Sequence, residues 1–101
     1  MARSNHRYVD MISLNKIFKA IETAYGFSKD DLLGYNRKQP LATIRQLAVY
    51  LARDGRTFIQ LSKIFKRHHA CMLYSFYSVR DRMSYHDYEV EELIKKIKEA
   101  L

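Results

Sequence analysis

Cysteine, proline and glycine are scarce in this 101-residue chain, at one, one and three residues, and tryptophan is absent. The single thiol, Cys71, excludes an internal disulfide and any multi-cysteine metal framework, which makes a reducing compartment the simpler assumption. Glycines at 26, 34 and 55 cannot build the Gly-x-x-x-x-Gly-Lys-Ser/Thr loop that cradles nucleotide phosphates. No apolar run approaches the roughly 18 residues that a membrane span needs. The polar start Met-Ala-Arg-Ser-Asn-His-Arg leads into no signal-peptide core. A soluble, cytoplasmic protein that contacts no membrane is expected. The length suits one small domain, and a 48% hydrophobic content is that of a packed chain rather than a disordered tail.

Acidic residues are also in deficit, 11 against 18 Lys and Arg, and the imbalance is local. Between Gly34 and His69 stand Arg37, Lys38, Arg45, Arg53, Arg56, Lys63, Lys66 and Arg67 against the single acid Asp54, while the remainder of the chain balances. A surface kept basic for solubility alone has no need to concentrate its whole excess in one third of the chain, whereas a polyanion footprint does.

Apolar residues recur at helical spacing in every long segment, so the fold class is all-α, a bundle of about five helices containing a helix-turn-helix. An arm over residues 1–12 precedes a single domain over 13–101. The first helix runs from about Leu14 to Tyr25, with Ser13 as N-cap and Gly26 as terminator. A short turn, Lys29 to Leu33, opens on Ser28 and stops at Gly34, and a loop follows to Pro40. A helix from about Leu41 to Asp54 turns Ile44, Leu47, Ala48 and Leu51 inward and leaves Arg45 and Arg53 facing outward. Thr57 and Gln60 form a capping-box pattern opening a short helix to Phe65. The polar turn Lys66-Arg67-His68-His69 leads to a longer helix ending near Met83, with Met72, Phe76, Val79 and Met83 toward the core. A last helix, about Asp87 to Leu101, buries Val90, Leu93, Ile94, Ile97 and Leu101.

Short helix, tight basic turn and longer helix, all within the charged block, is an arrangement that lets the start of the second helix enter a major groove while the turn meets phosphates. These residues resemble the C-terminal DNA-binding domain of the bacterial replication initiator DnaA, itself related in fold to the Trp repressor. The similarity covers about Ile17 to Leu101. It rests on Ile44-Arg45-Gln46-Leu47-Ala48-Val49-Tyr50-Leu51, similar to the family's Arg-Gln-(Ile/Met)-Ala-Met-Tyr-Leu helix, and on Thr57-Phe58-Ile59-Gln60-Leu61, similar to Ser-Leu-x-Glu-Ile. Phe65-Lys66-Arg67-His68-His69-Ala70-Cys71-Met72 stands where the family carries Phe-Gly-x-Arg-Asp-His-Ser-Thr-Val, with one residue fewer and most of the polar ones changed.

The resemblance implies binding to double-stranded DNA. It assigns Arg37 to the minor groove and His68, His69, Ala70 and Cys71 to the major groove, and helical spacing adds Tyr74 on the face opposite the core stripe. Lys38, Arg45, Arg53, Arg56, Thr57, Lys63, Lys66 and Arg67 are then the phosphate contacts, with Arg45 and Arg53 equally open to an outer-face role and Arg45 to a structural one beside a carboxylate such as Glu22 or Asp31. His69 matches the family's His, and His68 takes either its Arg or its Asp place according to where the gap falls. Replacing Asp and the hydroxyl residues by His, Ala and Cys is expected to change or weaken the base preference. The family's initiators join this domain to an ATPase, and no phosphate loop is present here. The initiating Met makes a free-standing DNA-binding protein the expectation, a monomer with a role in replication initiation or transcription regulation and with a replication or regulatory protein as a further partner. Two other readings use the same features: a protein-interaction module docking on Leu73, Tyr74 and Tyr77, and an RNA or single-strand binder stacking bases on its tyrosines. His68, His69 and Cys71 lack a fourth ligand at zinc spacing, and Cys71 lacks a positioned base, so neither metal, cofactor nor catalysis is expected.

Overall fold

The computed structural model describes residues 13–101, and the arm expected over 1–12 lies outside the described residues. Six helices follow one another: α1 Leu14–Tyr25, α2 Lys29–Leu33, α3 Leu41–Ala52, α4 Phe58–Phe65, α5 His69–Ser84 and α6 Tyr88–Ala100. Among the described residues there is no strand, and no helix is long and apolar enough to cross a membrane. The segment read as a short turn closes into the five-residue α2, which raises the expected five helices to six.

Local chemistry sets most boundaries. The Ser28 hydroxyl accepts from the Asp31 amide at 3.2 Å while the Asp31 carboxylate accepts from the Ser28 amide at 2.9 Å, so α2 starts on a reciprocal cap. Ser13 has the extended backbone of an N-cap, but its hydroxyl makes no capping bond. Gly26 ends α1 in the left-handed region at φ 80°, its amide donating to the Glu22 carbonyl. α3 stops at Ala52, two residues short of the expected Asp54. The Thr57 hydroxyl accepts from the Gln60 amide at 3.1 Å and the Gln60 side chain accepts from the Thr57 amide at 2.8 Å, fixing where α4 begins. Thr57→Ala is therefore expected to cost about 1 kcal/mol of stability, read from the urea midpoint, with Thr57→Ser near neutral. An Ala variant as stable as the parent would deny the cap any role.

α3 is the central rod, packed against α1, α2, α5 and α6, and accordingly buries Leu41, Ile44, Leu47, Val49 and Leu51 on more than one face. α1 contributes Ile17, Phe18 and Ile21 to the same core, α4 Leu61 and Phe65, and α5 Met72 and Val79. α6 lies against α1 with Val90, Ile94 and Ile97 inward; Leu93 is half-buried and Leu101 is exposed, because the helix ends before its last residue can turn back. Phe76 and Met83 are half-buried rather than core. The α5–α6 corner is held by Arg82, whose Nε donates to Asp87 at 2.9 Å; that bond is the first cause holding the Asp87 carboxyl below its ordinary range. Asp87 also caps α6 through the Val90 amide.

Candidate nucleic-acid interface

Residues 66–68 join α4 to α5. Lys66 turns the chain in the left-handed region at φ 56° and ψ 46°, with its amide donating to the Ser62 carbonyl. A residue with a Cβ is strained there, and the family signature that this turn resembles has Gly at this place. His68 then takes the N-cap of α5: its Nδ1 accepts from the Ala70 amide at 3.1 Å. Asp is among the best residues for that role, so the cap fits His68 standing in the Asp place of the signature, with His69 as the first helical residue. The imidazole expected to read bases is thereby engaged in starting the helix. The two histidine rings stack with centroids 4.4 Å apart. His69, Ala70 and Cys71 form an exposed first turn, and one turn further on Tyr74 is 68% exposed.

The loop before α3 is fastened by two arginines drawn from the expected phosphate set. Arg45 does not face outward: its Nε donates to the Leu32 carbonyl at 2.7 Å, and its two terminal nitrogens donate to the Asn36 and Asp31 carbonyls at 3.0 and 2.9 Å. Burial, and after it the nearby Arg67 charge, pull the Arg45 guanidinium below its ordinary pKa. Arg67 reaches the same loop from the turn, donating to the Phe65, Leu33 and Gly34 carbonyls and lying 4.9 Å over the Tyr35 ring. Arg45 thus departs from the outward orientation expected of it, and both guanidiniums are engaged within the fold for one shared cause. The carbonyls at the end of α2 and in the following loop lack helical partners, and a guanidinium satisfies several of them at once. Arg37 and Lys38 remain exposed at the tip, beyond an Asn36 side chain that accepts from the Lys38 amide at 2.9 Å.

Arg53 is likewise turned in. Its Nη1 donates to the Arg56 carbonyl at 2.6 Å and its guanidinium covers the Phe58 ring at 4.4 Å, while Nε is buried without a partner. Arg56 donates back to the Ala52 carbonyl at 3.1 Å, so the pair braces the turn from α3 into α4. Lys63 and Lys66 are exposed, and Thr57 serves as the α4 cap. The sequence reading missed an aromatic cluster joining α3, α4 and α5, in which Phe76 stacks on Tyr50 at 5.3 Å and meets Phe58 edge-on at 5.7 Å. Residues 50, 58 and 76 share no helical period, so only the fold reveals it. Arg80, also absent from that reading, covers the Tyr77 ring at 4.4 Å.

An open groove of about 470 Å³ runs between the loop, α3 and α5, bordered by Arg37, Gln46, Cys71 and Tyr74 and floored by Phe65. It brings the loop arginine and the first turns of α5 to one surface, with positive charge at its rim and small side chains, Ala70 and Cys71, at the helix start. Among the described residues no group of three or more His, Cys, Asp or Glu is placed to hold a metal ion.

Comparison with known proteins bears on this surface. The bacterial DnaA protein helix-turn-helix family matches residues 14–79. The chain is 30% identical over 81 residues to chromosomal replication initiator protein DnaA 2 of Protochlamydia amoebophila, a match covering 78% of this chain and 18% of that protein. It is 30% identical over 90 residues to the chromosomal replication initiator protein DnaA of Lactococcus lactis, covering 86% and 20%. The Thermus thermophilus protein of the same name is 28% identical over 88 residues, covering 84% and 20%. The chain thus spans about a fifth of the length of the curated relatives it matches.

Proposed function

Because the chain belongs to the family of bacterial DnaA helix-turn-helix domains, we propose that it binds double-stranded DNA with a sequence preference of its own, in replication initiation or the regulation of transcription. It acts by binding, as a monomer, through one unit over residues 13–101, and catalyses nothing itself. The observation that carries the reading is the shared groove between the loop tip and the start of α5. With α5 in the major groove, His69, Ala70, Cys71 and Tyr74 meet base edges and Arg37 lies against the adjoining minor groove. Lys38, Lys63 and Lys66 supply phosphate contacts. Arg45, Arg67 and the Arg53–Arg56 pair act one step behind, holding the elements that carry the readers. A Cys and an Ala in the first turn offer no strong acceptor to a cytosine amino group, which supports a target different from that of a helix starting Asp-His-Ser-Thr.

Selection from a random duplex library, then titration of the enriched duplex, tests this. Arg37→Ala is expected to weaken binding by about 1–3 kcal/mol, and His69→Ala to relax the preference at one base position. Affinity should fall steeply with salt. Absence of any enriched motif, with a nearly flat salt response, would instead assign the exposed Tyr74 and Tyr77 to a protein partner.

A further inference from the structure

On the far side of the aromatic cluster lies a second open cleft, of about 540 Å³, between the end of α3, the middle of α5 and the last turn of α6. Arg80 of α5 and Lys98 of α6 border it together with Arg53, the residue just past α3, against one acid, Asp54, while Tyr50 and Phe76 form its floor. Arg80 and Lys98 are exposed. The ion pair that Arg80 makes is a long one, 3.8 Å to Asp81, with both side chains in solvent. Neither cation is engaged in holding the fold as Arg45 and Arg67 are.

Position along α5 says what this cleft meets. Arg80 follows Tyr77 by three residues and covers its ring, and at 3.6 residues per turn it stands on the flank of the face that Ala70 and Tyr74 begin, about 80° round the helix from Ala70, while Asp81 continues the face itself. Ten residues at 1.5 Å rise put Arg80 about 15 Å along the axis from Ala70. A major groove is roughly 12 Å wide. A helix whose first turn sits in the groove therefore carries Arg80 to the groove's edge, where the sugar-phosphate backbone runs. We propose that Arg80 and Lys98 form a phosphate seat that extends the DNA contact past the helix-turn-helix to α6.

The proposal rests on the DNA-binding reading and is tested on the same enriched duplex, by anisotropy across a salt series. Arg80→Gln and Lys98→Gln are each expected to lower affinity about fivefold at 0.15 M salt, to reduce the slope of log affinity against log salt by about 0.9, and to leave the enriched motif unchanged. Asp54→Asn is expected to act in the opposite sense. Trimming one flank of the duplex by a helical turn should erase the difference between parent and variants. Arg80→Gln and Lys98→Gln proteins that fold, by circular dichroism, and match the parent in affinity and slope overturn the seat while leaving the DNA reading intact. Failure of the parent itself to bind any duplex overturns both. Binding of polyglutamate that both substitutions abolish, with duplex binding unchanged, assigns the cleft to an acidic protein segment and likewise overturns it.

Discussion

Phe65→Ala is expected to lower the unfolding free energy by about 3–5 kcal/mol. Phe65 is the last residue of α4, fully buried, and meets Phe18 of α1 edge to face at 6.0 Å. Its ring ties the helix-turn-helix to the helix furthest from it in sequence order and floors the groove beside Arg37 and Cys71. Truncation removes the transfer free energy of the ring and leaves a cavity that α1, α3 and α4 cannot all close without losing their own contacts. Total stability of a unit this size is about 5–13 kcal/mol. The variant should therefore lie near its unfolding midpoint at moderate temperature, losing about 4–8 °C of Tm per kcal/mol. Urea denaturation checks this, with Phe65→Leu as the milder companion. A loss under 1 kcal/mol for the Ala variant would mean that α4 does not depend on this contact.

Arg45→Ala is expected to cost about 2–4 kcal/mol, because three charge-assisted bonds to main-chain carbonyls disappear together and leave those oxygens to water or to nothing. Arg45→Lys should rescue little, since an ammonium cannot span three carbonyls set around a planar fork. The effect on DNA separates the two roles open to this residue. If Arg45 positions the loop, combining Arg45→Lys with Arg37→Ala costs less than the sum of the separate losses in affinity, because both act through one contact. If Arg45 touched a phosphate directly, the losses would add and the salt slope would fall by about 0.9. Hydrogen exchange at the Asn36 and Lys38 amides, faster in Arg45→Lys, gives an independent reading of the loosened loop.

The architecture was largely legible in the sequence, because amphipathic periods of ten or more residues have few alternatives and capping residues announce their own geometry. α1, the start of α4 and the break between α4 and α5 follow from Ile17 to Ile21, from Thr57 with Gln60, and from a polar turn. α2 is too short to display a period, so it read as a turn. The site was less legible, and for a specific reason. Counting cations locates a basic block, but an arginine is equally suited to a phosphate outside and to stranded carbonyls inside, and spacing does not distinguish them. Arg45, Arg53 and Arg67 took the second option. His68 escaped notice as a cap because histidine is outside the usual capping set. Arg80 and Lys98 lay outside the charged block, in a stretch whose signs balance, and only the approach of α6 to α5 joins them.

The hydrogen bonds by which Arg45 and Arg67 hold the loop all go to main-chain oxygens, those of Asp31, Leu32, Leu33, Gly34, Asn36 and Phe65, and among the described residues Tyr35 is the one loop side chain an arginine covers. Every amino acid carries that oxygen, so the identity of the side chains at the tip is free to drift while the frame beneath them stays put. Frame and reader are separately inherited in such an arrangement. A lineage, or an engineer, can exchange residues 37 and 38 to suit a new operator without rebuilding the scaffold, and the two arginines that hold the frame are the positions least open to exchange.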